Sequence, residues 1–135
     1  MSTEDWQLNQ ILAYLAADLP DTRWIVLLGK HSTVKASFPN SVIETDRVSA
    51  MGAALLSLGE RISRELSGGQ LQYSLIAGET GSHAVIVLNH EYLLMLGLRT
   101  AASSDTVLTA LQRSLIPLLQ ALKIEQLPRW LAKWS

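Results

Sequence analysis

Two stretches in the second half of the chain, "HAVIVL" at 83–88 and "YLLMLGLR" at 92–99, are apolar at successive positions rather than at alternate ones. Side chains on a strand point to opposite faces in turn, so such strands need cover on both faces. Only Asn89-His90-Glu91 separates them, and so short a turn joins antiparallel neighbours. The pair belongs in the middle of an antiparallel sheet with helices on each side. The rest of the chain has to supply those helices.

It does so in a definite order. After the acidic cap Thr3-Glu4-Asp5, Leu8, Ile11, Leu12, Leu15 and Leu19 recur at three- and four-residue steps, one face of a helix that Pro20-Asp21 ends. Trp24–Leu28 is a short apolar strand, and Thr33–Phe38 alternates Val34, Ala36 and Phe38 with polar residues. Between them lies "GKHS" at 29–32, which looks like the end of a phosphate-binding loop. That loop needs a glycine at 24 and a hydroxyl at 31, and the chain has Trp24 and His31. A phosphate loop also opens into a helix, whereas this one opens into a period-two strand. The segment reads as a hairpin turn.

Pro39-Asn40-Ser41 breaks the second strand. From about Glu44 to Ser67 runs the longest helical pattern, with Val48, Met51, Leu55, Leu58, Ile62 and Leu66 on one stripe, stopped by Ser67-Gly68-Gly69. Gln70–Ala77 alternates like a half-covered strand. A last helix, capped by Ser104-Asp105, carries Val107, Leu108, Leu111, Leu115, Leu118, Leu119 and Leu122 as far as Lys123, with Pro117 inside it as a kink or split. The order α-β-β-α-β-β-β-α predicts an α+β fold in α/β/α layers. It has a five-stranded antiparallel sheet, the long helix on one face and the N- and C-terminal helices on the other. Residues 1–123 form the domain and 124–135 a tryptophan-containing tail.

Composition narrows the function classes. Hydrophobic residues make up 48% and charged ones 17% of 135 residues, a surplus of apolar surface that a second subunit would cover. Net charge is −1, which gives no broad attraction for nucleic acid. There is no cysteine, so disulfides and thiolate metal sites are excluded. The start MSTEDWQLNQ lacks the positive, apolar signature of a secretory signal. No apolar run approaches the roughly 20 residues of a membrane helix. The expectation is a cytoplasmic chain with no integral membrane segment.

This order, at this length, resembles the Roadblock family: dynein light chains of that name, lysosomal scaffold subunits, and bacterial and archaeal partners of Ras-like GTPases. The likeness covers about residues 5–122. It rests on "WIVLLGKHSTVKASF", the long helix "DRVSAMGAALLSLGERISRELSGG", and "LQYSLIAGETGSHAVIVLNHEYLLMLGLR". Family members usually carry D-x-x-G-x-V-x-A at the first hairpin turn; this chain has Gly29-Lys30-His31-Ser32-Thr33-Val34-Lys35-Ala36. The resemblance implies a homodimer, or a dimer with a paralogous Roadblock chain, made by pairing long helices and joining the edge strands. It also implies a small Ras-like GTPase as partner and a regulatory or scaffolding role without catalysis or cofactor.

Helical spacing offers an interface for that dimer. With Met51, Leu55, Leu58 and Ile62 set toward the sheet, Ser49, Gly52, Ala53, Leu56, Gly59, Glu60 and Ser63 face outward. Gly52 and Gly59 would let a partner helix approach closely. Leu71 and Tyr73, on the strand after the helix, would add an unpaired edge.

Candidate chemistry is thin. His31, His83 and His90 fall at turns or strand starts without metal-ligand spacing. Glu44, Asp46, Glu60 and Glu65 sit where carboxylates are ordinarily solvated or complement a helix dipole. Of Arg47, Arg61, Arg64, Arg99, Arg113 and Arg129, none is marked as a finger for a GTPase site. In the tail, Arg129, Trp130 and Trp134 make a candidate partner site, since tryptophan and arginine dominate binding energies. The competing reading folds the tryptophans back onto the domain. A different class, a profilin-like or PAS-like small-molecule sensor, would need a pocket between sheet and helix.

Overall fold

The computed structural model describes every residue except 1–2, 20, 30, 32, 40–44, 100–102 and 133–135, and leaves the side chains of 3–5, 45 and 132 undescribed. The expected cap at Thr3-Glu4-Asp5, Glu44, most of Pro39-Asn40-Ser41 and Trp134 therefore lie outside what is described. The elements are α1 (Thr3–Asp18), β1 (Thr22–Leu28), β2 (Val34–Phe38), α2 (Thr45–Glu65), β3 (Tyr73–Ala77), β4 (Ser82–Val87), β5 (Leu93–Leu98), α3 (Ser104–Ser114), α4 (Ile116–Ala121) and the single turn α5 (Arg129–Ala132). One five-stranded sheet has the order β2-β1-β5-β4-β3, and every neighbouring pair is antiparallel.

The unbroken apolar run of β5 has its explanation in that order. β5 is the central strand, flanked by β1 and β4, and all six of its residues are buried. Register then sorts the sheet by face. Ile25 pairs with Leu96 and Leu96 with Ala84, while Leu27 pairs with Leu94 and Leu94 with Ile86. These side chains pack with Leu8, Leu12, Leu15 and Leu19 of α1 and with Leu111, Leu115, Leu118 and Leu119 of α3 and α4 in the larger core. The alternate positions, Val26, Leu28, Val85, Leu93 and Met95, pack with Val48, Leu55 and Leu56 of α2. The layers expected from the sequence follow directly from these two sets.

Local chemistry sets the boundaries. Pro117 splits the last helical pattern: α3 ends at Ser114, Leu115 serves both helices as cap, and the proline sits in the first turn of α4. No intrahelical bond is asked of an N–H there. The cap of α3 is Ser103, one residue earlier than expected; its side chain accepts from the Thr106 N–H at 3.2 Å. Beyond the end of α2 at Glu65 the left-handed conformation expected of a glycine is shared by Ser67, φ +63°, and Gly69, φ +77°. Asp18 ties α1 to α3, accepting from the Ser114 hydroxyl and lying 3.5 Å from Arg113 Nε.

α2 is rotated on the sheet from the seat expected: Val48 and Leu55 of the expected stripe do pack on the sheet, but beside Gly52 and Leu56 and without Met51, Leu58 and Ile62. A Cβ on Gly52 would fall 2.4 Å from Met95 Sδ and 3.1 Å from Leu28 Cδ1, and one on Gly59 would fall 2.9 Å from Leu71 Cδ2. Both glycines therefore look down at the sheet side. Met51, Leu58 and Ile62, assigned to the sheet from their stripe, are 62%, 56% and 51% exposed. The physical reason is volume. The floor beneath α2 carries long side chains, Leu28, Leu93 and Met95, so the helix comes closest at Gly52, with Val48, Leu55 and Leu56 packed beside that contact.

Gly52→Val should therefore destabilise the fold itself, by about 1–3 kcal/mol, as overpacking at a filled contact does. Urea denaturation of the variant checks this; an unchanged midpoint would return Gly52 to the outer face.

Candidate functional site

At 3.6 residues per turn, the 21-residue helix α2 has three distinct aspects beyond its seat. One flank carries Met51, Leu55, Leu58 and Ile62 in steps of four, three and four, the spacing of a helix–helix seam. The opposite flank carries Ala53, Ser57, Glu60 and Arg64. The outermost surface is charged, with Arg61 Nε 3.1 Å from Glu65 Oε1. A helix that bears its large apolar residues on an exposed flank has not finished its burial.

The two flanks look toward opposite ends of the strands. The polar flank lines an open groove of roughly 1,600 Å³, floored by Leu28, Leu71, Val87 and Leu93 and closed on its far side by 122–129. The apolar flank faces the other end, where Trp24, Gly97, His83 and Ile76 form one cross-strand row. Gly97 is needed there: a Cβ would stand 2.3–2.8 Å from atoms of the Trp24 indole. The indole lies over the glycine and reaches toward His83, with ring centroids 5.9 Å apart and planes tilted by 39°. Ile76, on the same face of β3, is 46% exposed.

The sheet's two edges differ. α1 packs along β2, and Asn9 Oδ1 accepts from the Ser37 N–H at 3.3 Å. β3 is the other edge. The Gln72 carbonyl accepts from the Val87 N–H, and the Gly78 N–H donates to the Gly81 carbonyl, so even-numbered residues turn their main chain inward to β4. By antiparallel alternation Tyr73, Leu75 and Ala77 direct theirs outward. An apolar helix flank, an aromatic floor and a strand edge thus make up the candidate site.

The residues proposed from sequence are dispersed by this geometry. Gly52, Leu56 and Gly59 belong to the seat of α2, with Ser49 and Ser63 half-buried on the same side; their assignment to an outer face is corrected. Ala53 and Glu60 line the groove, and Leu71 lies under Gly59. Tyr73 is where it was expected, on the edge strand. Trp130 is 5% exposed and Leu131 2%, both within the larger core, so Trp130 completes the domain instead of standing out as an anchor. Arg129 is exposed. Among the charged candidates, Arg99 Nη1 donates to the Thr22 carbonyl at 2.7 Å, and His90 Nε2 lies 3.8 Å from Glu91 Oε1. Among the described residues, no group of three or more His, Cys, Asp or Glu could hold a metal, and no helix is long and apolar enough to cross a membrane. The cavity between the sheet and α3, lined by Leu75, Ile86, Val107 and Leu108, has a volume of about 10 Å³. That is room for about one water and not for an organic ligand.

The model of the Roadblock/LC7 domain matches residues 8–97, about two-thirds of the chain. The chain belongs to the Roadblock/LC7 family. Its fold is similar to that of Myxococcus xanthus MglB, at 13% identity and TM-score 0.77 over 91% of this chain and 92% of that one. It is also similar to a Roadblock/LC7 domain from Streptomyces avermitilis, at 17% identity and TM-score 0.74 over 85% and 97%. A structure of MglB with a tetrameric arrangement matches at 15% identity and TM-score 0.76 over 91% and 93%. No curated protein matches the sequence.

Within this Roadblock/LC7 chain the floor can be tested on its own. Gly97→Val should displace the Trp24 indole and lower unfolding free energy by about 1–3 kcal/mol. Chemical denaturation followed by tryptophan emission reads both effects.

Proposed function

We propose that this protein is a homodimeric scaffold and regulator of a small Ras-like GTPase, without catalytic groups of its own. The observation that carries the assembly is the exposed set Met51, Leu58 and Ile62, continued inward by half-buried Leu55, beside an open β3 edge. An isologous contact applies one patch to itself. A seam with no charged residue is suited to that, because nothing in it repels a second copy. Laying a second α2 along the seam would cover three half-exposed apolar side chains, Met51, Leu58 and Ile62, each contributing roughly 1 kcal/mol. Antiparallel pairing at β3 would use the outward main-chain groups of Tyr73, Leu75 and Ala77. The GTPase reading draws on family membership, the MglB-like fold and the lack of a ligand-sized cavity between sheet and α3. The paired sheets and helices would form one continuous platform, and the effect on the GTPase would come from repositioning its own residues.

Leu58→Asp should leave circular dichroism unchanged and convert a particle of twice the chain mass into one of single mass. A buried carboxylate at the seam should weaken association at least a hundredfold. Light scattering coupled to gel filtration measures this, and wild-type chain that is monomeric at micromolar concentration contradicts the dimer. Ras-like GTPases from the same organism, assayed for binding and GTP hydrolysis, should respond to the wild type and not to Leu58→Asp. Indifference to both would leave assembly without a GTPase role. A dimer appearing only when a paralogous Roadblock chain is added would replace self-pairing by a mixed pair.

A further inference from the structure

The chain reverses at Lys123, which takes φ +59°, and the segment beyond it returns to the sheet. Its far end is anchored by Trp130 and Leu131 in the larger core. It also has a polar attachment next to the edge strand: the Trp130 main-chain N–H donates to Gln72 Oε1 at 3.2 Å. The carbonyl of that same Gln72 accepts from the Val87 N–H at 3.0 Å, immediately before β3 begins. One residue therefore holds both the tail and the entry to the edge strand. Among the described residues the buried Trp130 indole N–H also has no hydrogen-bond partner, which leaves the tail's grip incomplete. A donor buried in this state has given up its bond to water and regains one as soon as the segment lifts away.

We infer that residues 124–132 are a releasable strap that holds the start of β3 in place. With the strap docked, Gln72 is fixed from two sides, and β3 keeps the straight, ordered edge that strand pairing needs. With the strap lifted, Gln72 loses its side-chain contact and the edge strand loosens. The missing acceptor for the indole N–H biases the strap toward release by any partner that offers one. The consequence for assembly rests on the reading that a second copy pairs at β3; the coupling of strap to strand does not.

Hydrogen exchange of the full chain, measured beside light scattering for wild type, Gln72→Ala and Gln72→Glu, tests the inference. In Gln72→Ala, exchange should rise about fivefold in both 124–132 and 73–77, the factor expected for one lost neutral hydrogen bond. α1 and β1 should be unchanged, and dimer should require a higher concentration. Gln72→Glu keeps an acceptor oxygen and should behave like wild type. Faster exchange in 124–132 with β3 unaltered overturns the strap while leaving the dimer intact. No change in 124–132 overturns it as well. Coupled exchange in a chain that is monomeric throughout supports the strap and removes only the second copy.

Discussion

The contact between Gly52 and the side chains of Met95 and Leu28 governs the rest of this molecule. It fixes how closely α2 approaches the sheet and, because the helix is rigid, how it is rotated. With Gly52 and Gly59 underneath, the Met51–Ile62 seam must point sideways. A glycine notch between Val48, Leu55 and Leu56 on the helix receives the methionine and leucine side chains of the sheet. The same helix rotated toward its Met51–Ile62 flank would set two rows of long side chains against each other and lift away from the strands. Close packing therefore leaves large apolar residues outside, and an exposed seam follows from a well-filled interior.

Much of the fold was legible in the sequence because each element has its own local signal. The double-sided apolar run of β5 required a central position, and Pro117 marked the split between α3 and α4. Boundaries moved by a residue or two where caps compete, as Ser103 and Ser67 show. The candidate site was legible only in part. Helical periodicity gives the angles between residues of α2 but does not say which angle faces the sheet. The stripe rule assigns the largest apolar residues to the interior, and here the floor's own volume overrides it. A signal was present in Gly52 and Gly59, spaced seven apart and aligned with Ser63. Reading it correctly required knowing that Leu28, Leu93 and Met95 lie on one face of the sheet. That depends on strand order, which no local pattern encodes. The Trp24–Gly97 pair was invisible for the same reason, since its partners are far apart in sequence and neighbours only by register.

The tail shows the converse. Its tryptophans allowed either a protruding anchor or a fold back onto the domain, and Trp130 takes the second course, packing in the larger core. Aromatic residues dominate both interiors and interfaces, so residue type alone does not separate the two. What separates them is whether neighbouring strand ends leave the core open. Here Gln72 and the turn after β4 do so, and the tail returns to cover that opening.

For this member of the Roadblock/LC7 family, the proposed assembly gives the apolar flank and the strand edge one common purpose, the docking of another chain. The most direct measurement of that claim uses the absence of cysteine. A single Arg61→Cys on the exposed outer surface of α2 can carry a spin label without entering the seam. Electron–electron dipolar spectroscopy should then report coupling between two labels closer than about 30 Å, the length of a helix of some 20 residues. Folded, labelled protein that shows no dipolar coupling at concentrations where light scattering finds a dimer would mean that copies meet elsewhere, and the account of α2 as the joining element would be wrong.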